Sequence, residues 1–158
     1  MGDPSNGTDP TGLVPCPSVP KHRNGANIDA NIKSASKRIA DGFLSKYWWF
    51  YKMVKTGGLW DYKRQGPRGL FEDFGNFNYG ATGYTLGISD EVLLRAAGDY
   101  QIKSGTSDFD YIFPLGLGGG PVMPYQFPMV LPPYGDDPKD QKMIMRGILY
   151  ATNQCKCH

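Results

Sequence analysis

Apolar residues recur at spacings of three and four from Asn27 to Thr56, at Ile28, Ile32, Ala35, Ile39, Phe43, Tyr47, Phe50 and Val54. That period predicts a helical stripe. Asn27 or Asp29 can cap its start, and Gly57-Gly58 supplies a left-handed stop at its end. Gly42 falls inside the run and can kink or divide it, because glycine within a helix costs about 1 kcal/mol against alanine. The aromatic run Tyr47-Trp48-Trp49-Phe50-Tyr51 covers every face of such a helix, so some rings must meet a second layer of protein or a ligand. Phe50 and Tyr47 are assigned to the core.

Two further helices carry clear start signals. Ser89 is a good cap, with Asp90 and Glu91 in a first turn where the helix dipole favours anions. The helix that follows is expected to bury Val92, Leu93, Ala96, Ala97 and Tyr100 and to stop at Gly105. Asp137-Pro138-Lys139-Asp140 combines a capping aspartate, proline at the first position and an acid in the third. Its helix should bury Ile144, Ile148 and either Met143 or Met145. Between these helices the pattern breaks down. From Gly57 onward the glycines and prolines predict loop and short strands, and Gly80, Ala81 and Gly83 fit either a tight turn or close helix packing. Residues 106–135 hold six prolines and five glycines with no period, yet enough aromatic and aliphatic side chains to lie over the body as a wall or lid of a cleft. The expected fold is α+β or mainly α, a single domain of about four helices.

Composition narrows the class. With 158 residues and 40% apolar content the chain can bury one ordinary core. No apolar run approaches the roughly 20 residues of a membrane-spanning helix, and Met1 to Pro20 lacks the basic start and apolar centre of a signal peptide. A net charge of +2 is too small for a nucleic-acid coat. Three cysteines, two of them in the closing Cys155-Lys156-Cys157-His158, do not form the pattern of a disulfide-stapled domain. This end reads as a frayed tail, and neither a metal site nor a cofactor is expected.

The candidate chemistry lies between Gly57 and Gly83, where Asp61, Glu72 and Asp73 mix with Lys63, Arg64, Arg68, Asn76, Asn78 and six aromatic rings. Polar groups taken from water must find partners, so this mixture suits a cleft that binds something polar. The only histidines are His22 and His158, outside the body, which argues against a histidine-based ribonuclease or a Ser-His-Asp hydrolase. Terminal thiols argue against a Cys-His protease. Carboxylates are left. Glu72, beside Leu70, Phe71 and Phe74, is the candidate acid, its pKa expected to rise in apolar surroundings. Asp61 or Asp73 would be its charged partner, with Lys63 alongside. Trp60, Tyr62, Asn76, Asn78, Tyr79, Arg95 and Gln101 are the candidate substrate-binding residues. Simpler roles compete: Asp61 as a turn cap, Asn76 and Asn78 as turn residues, Arg95 and Gln101 on a solvent face. Capping suffices to explain Asp136, Asp137 and Asp140.

Asp9-Pro10-Thr11-Gly12-Leu13 resembles the motif that closes the core of Rhs proteins, shell-forming toxins whose variable C-terminal toxin follows it. The resemblance implies cleavage just after Leu13, releasing residues 14–158; with five prolines and four glycines, residues 1–25 read as linker, which leaves 26–158 as the toxin domain. Trp60-Asp61-Tyr62-Lys63, the run FGNFNYGATG from Phe74 to Gly83, LLRAAGDYQ from Leu93 to Gln101 and GDDPKDQ from Gly135 to Gln141 together resemble the polymorphic toxin type 44 family, also called bacterial toxin 44. The similarity runs from about Phe50 to Tyr150. It implies a delivered effector of interbacterial competition, carried by a route such as type VI secretion and paired with a cognate immunity protein and the Rhs shell. The family brings no reaction with it. Acids without histidine, together with rings that stack on sugars, place hydrolysis of peptidoglycan glycan strands slightly ahead of metal-independent cleavage of RNA. A non-enzymatic membrane-acting toxin comes third, for want of a long apolar helix.

Overall fold

The computed structural model describes residues 14–104, 136–152 and 155–156, and over these the fold is mainly α. Strand β1 (Val14–Pro15) leads to helices α1 (Ile28–Ser36) and α2 (Phe43–Val54), then a 3-10 turn at Tyr62–Arg64. Helices α3 (Glu72–Thr85), α4 (Asp90–Ser104) and α5 (Pro138–Ala151) follow, and strand β2 (Cys155–Lys156) pairs in parallel with β1. These two-residue strands are the whole of the β structure among the described residues, so the α+β alternative has no further support there. Residues 106–135, expected as a wall or lid, lie outside the described residues, as does Gly105.

The stripe from Asn27 to Thr56 is two helices. Asn27 caps α1, its Oδ1 accepting the Ala30 N–H at 2.9 Å, while Asp29 sits within the first turn and accepts the Tyr150 hydroxyl. The chain turns between residues 37 and 42 and re-enters helix after Gly42, whose extended backbone starts α2. Gly57, at φ +77°, is the left-handed residue that follows α2, as its sequence position suggested. Phe50 is buried and Tyr47 packs against the core.

Ser89 begins α4, its hydroxyl 3.4 Å from the Val92 N–H. Leu93 is fully buried, but Val92 is half-exposed and Ala96 exposed. A rotation of one residue about the helix axis separates the two sets. Asp137 caps α5 by accepting the Lys139 N–H at 2.8 Å, ahead of Pro138. Ile144 and Ile148 are buried, Met143 is half-buried and Met145 is exposed. Replacing Asp137 by alanine orphans that amide and should lower stability by about 1 kcal/mol, read as a fall of about 2–4 °C in a thermal melt.

The loop and short strands expected after Gly57 are corrected over Glu72–Thr85, which is a 14-residue helix. Its glycines are contact surface. A Cβ on Gly80 would strike the Ile144 carbonyl of α5, and one on Gly147 would strike the Phe77 carbonyl of α3. The two backbones therefore touch where they cross, and α3 with α5 forms the most extensive helix pair of the fold. Burial of Phe74, Phe77, Ala81 and Ile144 around this crossing outweighs a poor helix propensity, as packing commonly does. A second correction concerns the cysteines. Cys16 is disulfide-bonded, and the other two cysteines of the sequence, Cys155 and Cys157, flank Lys156 in the segment that carries β2.

Candidate active site

The α3–α5 crossing brings the N-termini of both helices to one place, and acids gather there. Glu72 and Asp73 open α3, and Asp140 lies in the first turn of α5. Both helix dipoles favour negative charge at these positions. The 3-10 turn inserts Lys63 between them. Its stem lies against Gly75, where an added Cβ would stand 3.2 Å from Lys63 Cγ. Lys63 Nζ is 3.1 Å from Asp140 Oδ2 and 3.6 Å from Glu72 Oε1, so one ammonium bridges the two helices. Lys139 meets Asp73 Oδ1 at 2.9 Å on the same rim.

Asp136, just before α5, is the most enclosed of these acids, at 1% exposure. Its carboxylate accepts the Asp137 N–H at 3.0 Å and the Gln141 side-chain amide at 2.9 Å. Burial pushes its pKa up to about 6, and the Asp140 charge adds to the rise, against the opposing Gln141 hydrogen bond and Lys63 charge. Gln141 also donates to the Leu94 carbonyl, tying the group to α4. Tyr79 donates its hydroxyl to the Leu93 carbonyl at 3.1 Å, and burial, with the charge of Asp136, raises its pKa so that it stays neutral. Asn76 shares a side of α3 with Glu72 and Tyr79 by helical spacing. It is buried, yet its Nδ2 has no hydrogen-bond partner among the described residues. Such a donor is costly to leave unmade, and a bound acceptor would satisfy it.

A second polar group lies on the α1 side of α3. Asn31 donates from Nδ2 to the fully buried Asn78 Oδ1 at 2.7 Å and to the Tyr62 hydroxyl at 2.8 Å. The Tyr62 ring stands edge-on to Phe74. Outside this group a cavity of about 640 Å³ is lined by Arg23, Asn31, Trp60, Tyr62 and Gln65 among others. None of Glu72, Asp136 or Asp140 lines it. This cavity holds one cation and no carboxylate, and it lies apart from the acid cluster.

Of the residues singled out from sequence, Glu72, Lys63, Asp73, Asn76 and Tyr79 converge on that cluster. Asp61 instead accepts the Gly57 N–H at 2.8 Å and pairs with Arg64 at 3.6 Å, closing its own turn. Trp60 is buried edge-on against Trp49, and Tyr62 and Asn78 belong to the Asn31 group. Arg95 pairs with Glu91 on an exposed face of α4. Gln101 lies in α4, and its side chain is outside the described residues. The apolar setting expected for Glu72 is corrected: its side chain is 41% exposed and faces Lys63. Asp136 and Asp140 escaped sequence reasoning because capping accounted for them, and Gln141 was not singled out. Only Asp137 caps α5, and the surplus of aspartates around a single cap was the available signal.

Fold and site together define a small, mainly α domain that holds a lysine-bridged carboxylate cluster where two helices start. The family model described as bacterial toxin 44 matches residues 68–153, a span that includes α3 and α5 and every acid of the cluster. The chain belongs to the bacterial toxin 44 family, and the domain is a bacterial toxin. No curated protein and no solved structure matches it. Among the described residues no helix is long and apolar enough to cross a membrane.

Proposed function

We propose that this toxin domain hydrolyses the glycan strands of peptidoglycan after release from an Rhs parent and delivery into a competing cell, where a cognate immunity protein would be its antagonist. The observation that carries the reading is the buried Asp136, with a pKa raised to about 6, beside carboxylates that Lys63 holds by charge. Two kinds of carboxyl in two environments are what acid-assisted glycoside cleavage requires. Asp136 is the acid that gives its proton to the leaving glycosidic oxygen. Glu72, exposed to solvent, is the carboxylate that takes a proton from the attacking water as the C–O bond breaks and the new one forms. Lys63 and Asp140 fix the spacing between α3 and α5, and the Asn76 amide is a hydrogen-bond donor for a sugar hydroxyl or ring substituent. Each cycle returns both carboxyls to their starting state by exchange of one proton with solvent.

Purified domain should release soluble muropeptides from isolated sacculi, and its export to the periplasm should cause rounding and lysis while cytoplasmic expression is tolerated. Death without export, accompanied by loss of intact tRNA or rRNA and no product from sacculi, would replace this reading with a metal-independent ribonuclease.

A further inference from the structure

Helix α2 presents apolar surface outward as well as inward. Phe50 is buried, and Trp49 and Met53 pack on the core. Leu44, Trp48 and Tyr51, spaced i, i+4 and i+7, are 81%, 61% and 50% exposed. Phe43 extends the patch at 67% exposure and Ile39 at 52%. The rings are neighbours: Phe43 and Tyr47 lie 4.4 Å apart between centroids, Trp48 and Tyr51 5.7 Å. A monomeric domain rarely leaves so much contiguous apolar surface wet without a use for it.

The charges around the patch say what covers it. The sequence of α2 contains no acid. Lys52 and Lys55 lie over Trp48 and Tyr51 at 5.8 and 5.9 Å from the ring centroids, Lys46 instead donates to the Leu86 carbonyl at 3.1 Å, and Asp41, just before the helix, is paired with Arg38. Lysines along an aromatic and aliphatic face complement a surface that is apolar beneath and anionic above. We infer that the outer face of α2 docks the domain on an anionic lipid bilayer, with Leu44, Phe43 and Trp48 entering the boundary between headgroups and acyl chains and the lysines meeting lipid phosphates. At 12 residues the helix is too short to span; it lies in the plane of the interface. A glycan fits this face less well, because ammonium groups already occupy ring faces on which sugars would stack, and Ile39 and Leu44 offer a sugar nothing. An acidic protein surface would satisfy the lysines but not the protruding leucine and phenylalanine. Docking of this kind is independent of the reaction at Asp136.

The test is co-sedimentation of the full 158-residue chain with vesicles of phosphatidylglycerol and phosphatidylethanolamine, and with vesicles of phosphatidylcholine alone, at low and high salt. The chain should sediment with the anionic vesicles and be released by salt. The double variant Leu44→Ser, Trp48→Ala should bind at least about tenfold more weakly, with an unchanged melting temperature because both side chains are exposed. Lys52→Glu with Lys55→Glu leaves the rings in place and should abolish the preference for anionic lipid. A chain that stays in the supernatant with anionic vesicles overturns the inference. So does a variant pair that sediments like the parent, or binding to sacculi or to an acidic protein that the same substitutions remove while lipid binding is absent.

Discussion

Asp136→Asn should give a domain that has lost its toxicity and is at least as stable as the parent at pH 7. The substitution keeps the shape of the side chain and removes its titratable proton, so a general acid would lose about 10²–10⁴-fold in rate. The stability claim follows from the direction of the pKa shift. The carboxyl titrates near 3.8 ordinarily and at about 6 in the folded protein, so the folded state binds this proton more tightly than the unfolded one. Stability associated with the group is therefore fully present below about pH 4, declines as pH rises to about 6, and is absent above that. At about 1.4 kcal/mol per unit, the ionised form burdens the fold by about 3 kcal/mol at neutral pH. Asparagine carries no such burden, although its amide opposes that of Gln141 and forfeits one hydrogen bond worth about 1 kcal/mol. A net gain of about 1–2 kcal/mol at pH 7 to 8 is expected, with a flatter profile between pH 4 and 6. Denaturant melts across that range, run beside the sacculus assay, check both parts. An active variant removes Asp136 as the acid, and an inactive one that has lost stability makes its role structural.

Gly80→Ala or Gly147→Ala should each destabilise the domain by about 3 kcal/mol, toward the upper end for overpacked cores, and lower its melting temperature by about 10 °C. The added methyl meets a backbone carbonyl of the opposing helix, which has no rotamer through which to withdraw. The helices must separate, and α5 carries Asp140 and is led into by Asp136, while α3 carries Glu72. Activity should fall with stability, since the Lys63 bridge reaches 3.1 Å to one helix and 3.6 Å to the other. Gly42→Ala is the control. Nothing lies within 4 Å of its added Cβ, and its effect should stay under about 1 kcal/mol. Equal melting temperatures for the crossing variants and the control would show that α3 and α5 do not touch through their backbones.

The helices with a period and a cap were legible in the sequence. Asn27, Ser89 and the pair Asp137-Pro138 mark starts that need only local backbone groups to be satisfied, and α1, α4 and α5 begin where they stand. Helix α3 was illegible for a physical reason. Glycine and asparagine are weak helix formers alone, and what makes Gly80 favourable is Gly147 and Ile144, more than sixty residues away along the chain. The site followed the same division. Lys63, Glu72 and Asp73 stood out as charges in an aromatic stretch. Asp136 did not, because its burial depends on α4 and α5 together, and a cap next to it offered a sufficient local account.

The parallel pairing of Val14 with Cys155 and of Pro15 with Lys156 has a mechanical consequence. A tension applied to the chain before Val14 and after Lys156 enters the domain at two points that already face each other, and it loads this short ladder before any helix. The disulfide at Cys16 lies one residue beyond β1, and its partner is one of the two cysteines around Lys156. Once the ladder yields, a covalent link carries the load, and the helical body between Cys16 and that partner remains slack. Pulling the oxidised chain from its two ends would extend it by little more than its tails, whereas the reduced chain would unravel through α1 and α5.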